Sequence, residues 1–236
     1  MKYDKSTKGG NGSIAMVAPG TKTFEQSYKL LNETFPGHEM DPRYTFEHGL
    51  AKPGKNRMIM VSKIQNGKVI ATATGAYIES TDKKSGFGWK EYAAADKKSR
   101  GRGHGKETAA ALEEAMRIEA RKRGQIYKGT FTHAEDKGLN PSSLYHTSDK
   151  LARKGYKSAG IFMDPQSNGR VTPYRFMYKT GKEPVGKDDL KQILNSVKDY
   201  YIPGDEKVAP KQRNTVEKAF DMMKNTITDV ARPVMH

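Results

Sequence analysis

The chain has 236 residues and carries 42 Lys+Arg against 27 Asp+Glu, a net charge of +15. That length allows one substantial core, or one core with an appendage, and the charge favours anionic partners. There is no cysteine, which excludes disulfides, thiol nucleophiles and cysteine-ligated metal sites. With no signal-like apolar core at the start and no apolar run of the ~18 residues that span a membrane, a cytoplasmic protein without a resident metal is expected.

Residues 1–12 are polar and glycine-rich and are expected to be flexible. A first strand is expected over 13–18, ended by Pro19-Gly20. Phe24, Tyr28, Leu31 and Phe35 then recur at helical spacing until Pro36-Gly37 stops the run, and a second short helix is expected over 44–50. Strand-like runs at 58–61 and 69–78 flank Asn66-Gly67, a strong hairpin signal. Residues 87–95 form the next strand. It leads into Arg100-Gly101-Arg102-Gly103-His104-Gly105 and then a long helix whose apolar stripe is Ala109, Leu112, Met116 and Ala120, with Gly124 as the C-cap.

A strand follows at 126–132, and Asn140-Pro141 starts a helix that runs through Leu144, Tyr145, Leu151 and Ala152 to Gly155. Strands at 156–163 and 171–178 enclose a polar loop, and Pro173 is expected on an edge or at a bulge. Beyond Gly181 two amphipathic helices are expected, over 188–201 and 213–230. Their stripes are Leu190, Ile193, Leu194 and Val197, and Val216, Phe220, Met223 and Ile227. Residues 181–236 hold 10 Lys+Arg and 9 Asp+Glu, so +14 of the net charge belongs to 1–180. The tail is too small for its own core. It must pack on the rest of the chain or on a second copy in a homodimer.

The glycine-rich turn carries the chemistry. Alternate glycines free the backbone for positive φ and close approach, and the helix behind them starts with unpaired amides and a positive dipole end. Lys97, Lys98, Arg100, Arg102 and Lys106 crowd the same point, so a pyrophosphate is the expected guest. The spacing is not that of a P-loop, and Lys106 stands where a dinucleotide fingerprint needs its third glycine.

Arg100-x-x-Gly103-x-Gly105, set between a strand and a long helix, resembles motif A of the GNAT N-acetyltransferases, and the order of elements over 13–180 is similar to the whole of that fold. The resemblance implies an α/β fold with a mixed central sheet and helices on both faces, here with a two-helix C-terminal appendage over 181–236. It implies acetyl-coenzyme A lodged where two central strands splay apart. The backbone at Ala93 and Ala95 would pair with the pantetheine arm, and the amides of Arg100, Gly101, Arg102, Gly103, His104, Gly105 and Lys106 would hold the pyrophosphate. Asn140 and Ser143 match the opening of the family's later motif, but its close at Gly155-Tyr156 comes about one helical turn late, and Leu151 stands where that motif has tyrosine. Tyr145, the nearest tyrosine on that helix, becomes the candidate acid for the leaving thiolate, or else a packing residue. Glu91, on the same strand face as Ala93 and Ala95, is the candidate base, or an ordinary solvated or ion-paired strand residue. His133 is a second candidate base, with a surface histidine as its alternative.

Two functions follow. One is an N-acetyltransferase acting on a primary amine of a protein, a small molecule or an aminoacylated RNA. Asp41, Glu47, Glu79 and Asp82 lie in segments that rim the acceptor side in relatives. The other is a binding or structural protein on the same scaffold, whose basic surface contacts nucleic acid or an acidic partner.

Overall fold

The computed structural model describes residues 12–35, 37, 39–51, 54–134, 151–165, 171–180, 185–201, 214 and 217–223. The elements follow the order β1 (Ser13–Met16), α1 (Lys22–Asn32), α2 (Arg43–Ala51), β2 (Arg57–Gln65), β3 (Lys68–Glu79) and β4 (Ser85–Ala95). After a 3-10 turn at Lys97–Ser99 come α3 (His104–Lys122), β5 (Ile126–Ala134), β6 (Lys157–Pro165), β7 (Val171–Thr180) and α4 (Lys187–Tyr201). The seven strands form one mixed sheet in the order β1-β2-β3-β4-β5-β7-β6. The chain divides into two compact units, Met1–Tyr77 with Lys90–Arg123, and Ile78–Trp89 with Gly124–His236.

In the first unit, strand parity explains how helices cover both faces of β2. Ser62 is hydrogen-bonded to Ser27 of α1 at 2.7 Å, and Met58 packs under Gly49 of α2, so the even-numbered side chains meet α1 and α2. The odd-numbered ones meet α3. Arg57 lies 3.5 Å from Glu119 near the end of α3, and Lys63 pairs with Glu107 in its first turn. The geometry is self-consistent: six strand residues span about 20 Å and twelve helical residues about 18 Å. Two ion pairs therefore pin α3 along β2 at both ends.

The α1 helix begins at Thr21, whose hydroxyl caps the amide of Phe24 at 3.2 Å. Arg43, at the start of α2, reaches Glu25 of α1 at 2.7 Å and Glu47 of its own helix at 2.8 Å. Asn66 and Gly67 both take positive φ in the β2–β3 turn, as the Asn-Gly signal demands.

In the second unit an aromatic cluster forms the core. Trp89 packs against His133 (5.6 Å), Phe162 (5.1 Å) and Phe176 (6.1 Å), and Phe131 packs against Phe87 (5.4 Å) and Phe176 (5.6 Å). Gly155, with φ +82, ends the helical residues 151–152 before β6, as expected. Pro173 does not lie on an edge strand: β7 sits between β5 and β6. The β5 pairing reaches only to Ala134 and Arg175, so the missing proline N–H falls beyond it. The apolar stripe of α4 is buried within the chain, with Ile193, Leu194 and Val197 at 1% exposure or less. Asp189 of α4 pairs with Lys128 of β5 at 2.5 Å, and Phe220, in the helical residues 217–223, packs edge-on against Phe162 of β6. The described parts of the tail thus pack on their own chain.

Candidate active site

The site is built from the end of β4 and the start of α3, both in the first unit. Asp96 closes β4 by donating its amide to the Ile70 carbonyl at 3.0 Å, and its carboxylate accepts from the Lys98 amide at 3.0 Å to cap the 3-10 turn. Arg100 folds back so that its Nε donates to the Ala95 carbonyl at 3.2 Å. Gly101 and Gly103 take φ of +78 and +83, conformations that a side chain would strain. Gly103 is the N-cap of α3 and makes no side-chain cap bond. The first backbone bond of the helix runs from Glu107 N to Gly103 O at 3.0 Å, which leaves the amides of His104, Gly105 and Lys106 directed out of the helix start.

Around this start Lys97, Lys98, Arg100, Arg102 and Lys106 are all exposed. A Cβ built on Gly101 or Gly103 meets nothing within 4 Å, so the turn borders open space. Gly105 differs. It has an ordinary helical φ, and a Cβ there would sit 3.9 Å from the Cβ of Ala95. The positive-φ freedom expected of it is not used, and a Cβ there would make only an ordinary contact. Of the two alanines on β4 named from sequence, Ala93 is exposed and Ala95 half-buried.

Glu91 is half-buried on β4 and engaged by a neighbour. His133 is half-buried, with its ring among aromatic neighbours, where a surface histidine was the alternative. Its ring lies against Phe162 (5.2 Å) and Tyr174 (5.0 Å), and its Nδ1 is closed off without a hydrogen-bond partner. Burial pushes its pKa down to about 4, so it is neutral at pH 7 and a poor base. Tyr145, Asn140 and Ser143 lie outside the described residues.

The acidic residues expected near an acceptor are each occupied locally. Glu47 pairs with Arg43, Glu79 accepts from Gln125 at 2.7 Å, and Asp82 accepts from the Ser85 hydroxyl at 3.0 Å in its own loop. Asp41 is different in kind. Its carboxylate lies 3.2 Å from the hydroxyl of Tyr92 on β4, next to Glu91, and burial raises its pKa above the ordinary value against that hydrogen bond. Tyr92 also donates to the Glu39 carbonyl at 2.8 Å. An open depression of about 330 Å³ lined by Pro19, Gly20, Glu47, His48 and Ala51 involves none of the glycine-turn residues.

Sequence reasoning missed Lys63, which is 3% exposed and bonded to Glu107 within this same helix turn. The signal was present in strand parity, since Lys63 continues the row of Ile59 and Val61.

No protein-family model and no curated protein matches the chain by sequence. Solved structures do match by shape. An aminoglycoside 6'-N-acetyltransferase complexed with coenzyme A superposes with a TM-score of 0.51 at 18% identity, covering 72% of this chain and 98% of that one. The NatC complex bound to Gag peptide and CoA gives 0.53 at 12% identity, covering 72% and 99%. NAA60 from Arabidopsis thaliana with acetyl-CoA gives 0.51 at 12%, covering 71% and 98%. Each of these chains is matched along nearly its whole length, as a shared architecture and not a shared fragment, and the chain has the GNAT acetyltransferase fold.

Proposed function

We propose that the chain is an acetyl-coenzyme A-dependent N-acetyltransferase that moves an acetyl group onto a primary amine. The observation that carries this reading is the start of α3, where Gly103 caps the helix without competing for its first amides and five exposed cations surround it. Those residues fit a pyrophosphate, because the amides are oriented, the charge is positive, and the space beside Gly101 and Gly103 is open. The shared fold supports the same reading. A purely structural protein on this scaffold would have no use for an uncapped, cation-ringed helix start, so that alternative is not favoured.

The amides from Arg100 to Lys106 would hold the pyrophosphate and the backbone at Ala93 and Ala95 the pantetheine arm, with Asn140 and Ser143 also in contact with the cofactor. When bound, the cofactor supplies an activated acetyl thioester. Glu91 removes the amine proton, directly or through a water. Tyr145 holds a proton at its hydroxyl for the departing sulfur. Residues 13–180 form the catalytic domain in this reading and 181–236 an extension to it. The acceptor is an amine of a protein or of a small molecule; the neighbours named above include an aminoglycoside enzyme and a complex holding a peptide.

Acetyl-coenzyme A at a hundredfold excess over its Kd should raise the melting temperature by about 5–10 °C, through binding to the folded state alone. No shift at millimolar cofactor would sink the reading. Mass spectrometry of acetylated species from cells expressing the chain or a cradle variant then identifies the acceptor. For the acid, Tyr145→Phe should keep cofactor affinity and lower turnover roughly ten- to a thousandfold. Turnover at the parent rate would retire Tyr145 in favour of water.

No helix among the described residues is long and apolar enough to cross a membrane.

A further inference from the structure

Glu107 sets an electrostatic problem at the start of α3. A carboxylate in the first turn suits the helix dipole, but it opposes any anion bound at the same amides. Its side chain is 39% exposed, so an uncompensated charge there would be felt by the ligand. Its Oε2 is held by the ammonium of Lys63, which reaches it from β2 across 44 residues of sequence. Burying a lysine costs several kcal/mol unless its partner is well placed. Ile59 and Val61 show what the same row of β2 otherwise holds, so a lysine there is an expensive choice for packing alone. The His104 ring lies near the same oxygen without a hydrogen bond to it. His104, 8% exposed, has a buried Nδ1 with no hydrogen-bond partner, 4.0 Å from Glu107 Oε2.

We propose that Lys63 is a positioning residue of the anion site, neutralising Glu107 so that the start of α3 remains attractive to the phosphates of the cofactor. This rests on the functional reading above. It acts through Glu107 and touches no reacting atom. It accounts for the difference between the two ion pairs along α3: Arg57, at the far end, keeps a side chain 40% exposed, whereas the Lys63 side chain is 4% exposed at the end where an anion is expected.

The test is calorimetric titration with coenzyme A at low salt on the full chain and on Lys63→Met, Glu107→Gln and the double variant. Lys63→Met should weaken binding by about tenfold, the scale of one partly screened charge at this range. Glu107→Gln, which leaves the lysine charge uncompensated beside the phosphates, should bind at least as tightly as the parent. The double variant should return to within about threefold of the parent, since both charges are gone. A merely structural pair predicts something else: both single variants weaken binding together, and that pattern overturns the proposal. Equal affinity in all four proteins overturns it as well. Should Lys63→Met fail to fold, Glu107→Gln is compared with the double variant, and tighter binding by the single variant is required. A parent that does not bind coenzyme A overturns the functional reading and this proposal with it, whereas a binding parent with the wrong pattern overturns only this one.

Discussion

Gly103→Val is expected to leave the protein folded and to weaken acetyl-coenzyme A binding on the order of a hundredfold, equivalent to losing two hydrogen bonds to a charged group. Two features combine at this position. Its φ of +83 is one that a β-branched residue resists, and a side chain there would project into the open space beside the helix start. Nothing in the fold is displaced by the new atoms, so the strain is confined to the turn. Gly105→Val should also reduce binding, but for a different reason. Its backbone is already helical and its Cβ would make only an ordinary contact with Ala95, so the effect comes from added bulk beside the helix start and not from backbone strain. Circular dichroism and calorimetric titration together decide the matter. Parent affinity in a folded Gly103→Val protein would remove the cradle assignment.

Acid is expected to destabilise the second unit through His133. In the unfolded chain a histidine titrates near 6.5, and in the fold burial holds His133 at about 4. Between those values the unfolded state binds more protons, so stability is fully present above pH 6.5 and falls as the pH drops toward 4. The loss amounts to up to ~3 kcal/mol, a large share of the stability of an ordinary domain. His133→Phe keeps a ring among Trp89, Phe162 and Tyr174 and removes the titration. Denaturant unfolding at pH 7, 5.5 and 4.5 should show a steep decline in the parent and a shallower one in the variant, at least above pH 5 where carboxylates contribute little. Parallel declines would mean that His133 is protonated in the folded state.

These two residues also mark what the sequence could and could not convey. The glycine turn was legible because its meaning is local: spacing, positive φ and a following helix all lie within one stretch from Lys97 to Lys122. The hairpin at Asn66-Gly67 was legible for the same reason. His133 was not, because nothing in its immediate neighbours shows that Trp89, Phe162 and Tyr174 close around it from three other strands. Pro173, expected on an edge or at a bulge, lies on an inner strand away from the register shift of the β6–β7 pair, because strand order depends on where β6 and β7 fold back, and local pattern does not encode that choice. Gly105 was credited with backbone freedom that it does not use, since alternation alone cannot separate a glycine at positive φ from one inside the helix. Lys63 lay in plain view within an apolar row, yet its partner Glu107 belongs to an element joined to it only by tertiary packing.

The row that holds Lys63 has a further consequence during synthesis. Arg57 and Lys63 bracket Met58, Ile59, Met60, Val61 and Ser62, a stretch whose composition favours intermolecular strand pairing. Their acidic partners, Glu119 and Glu107, belong to α3 and leave the ribosome dozens of residues later. Through that interval the two cations stand unpaired at either end of the apolar run and repel another copy of it, as gatekeepers do. The cations that later fasten the helix through Glu119 and Glu107 serve, at that earlier stage, as a guard against aggregation of the nascent hairpin.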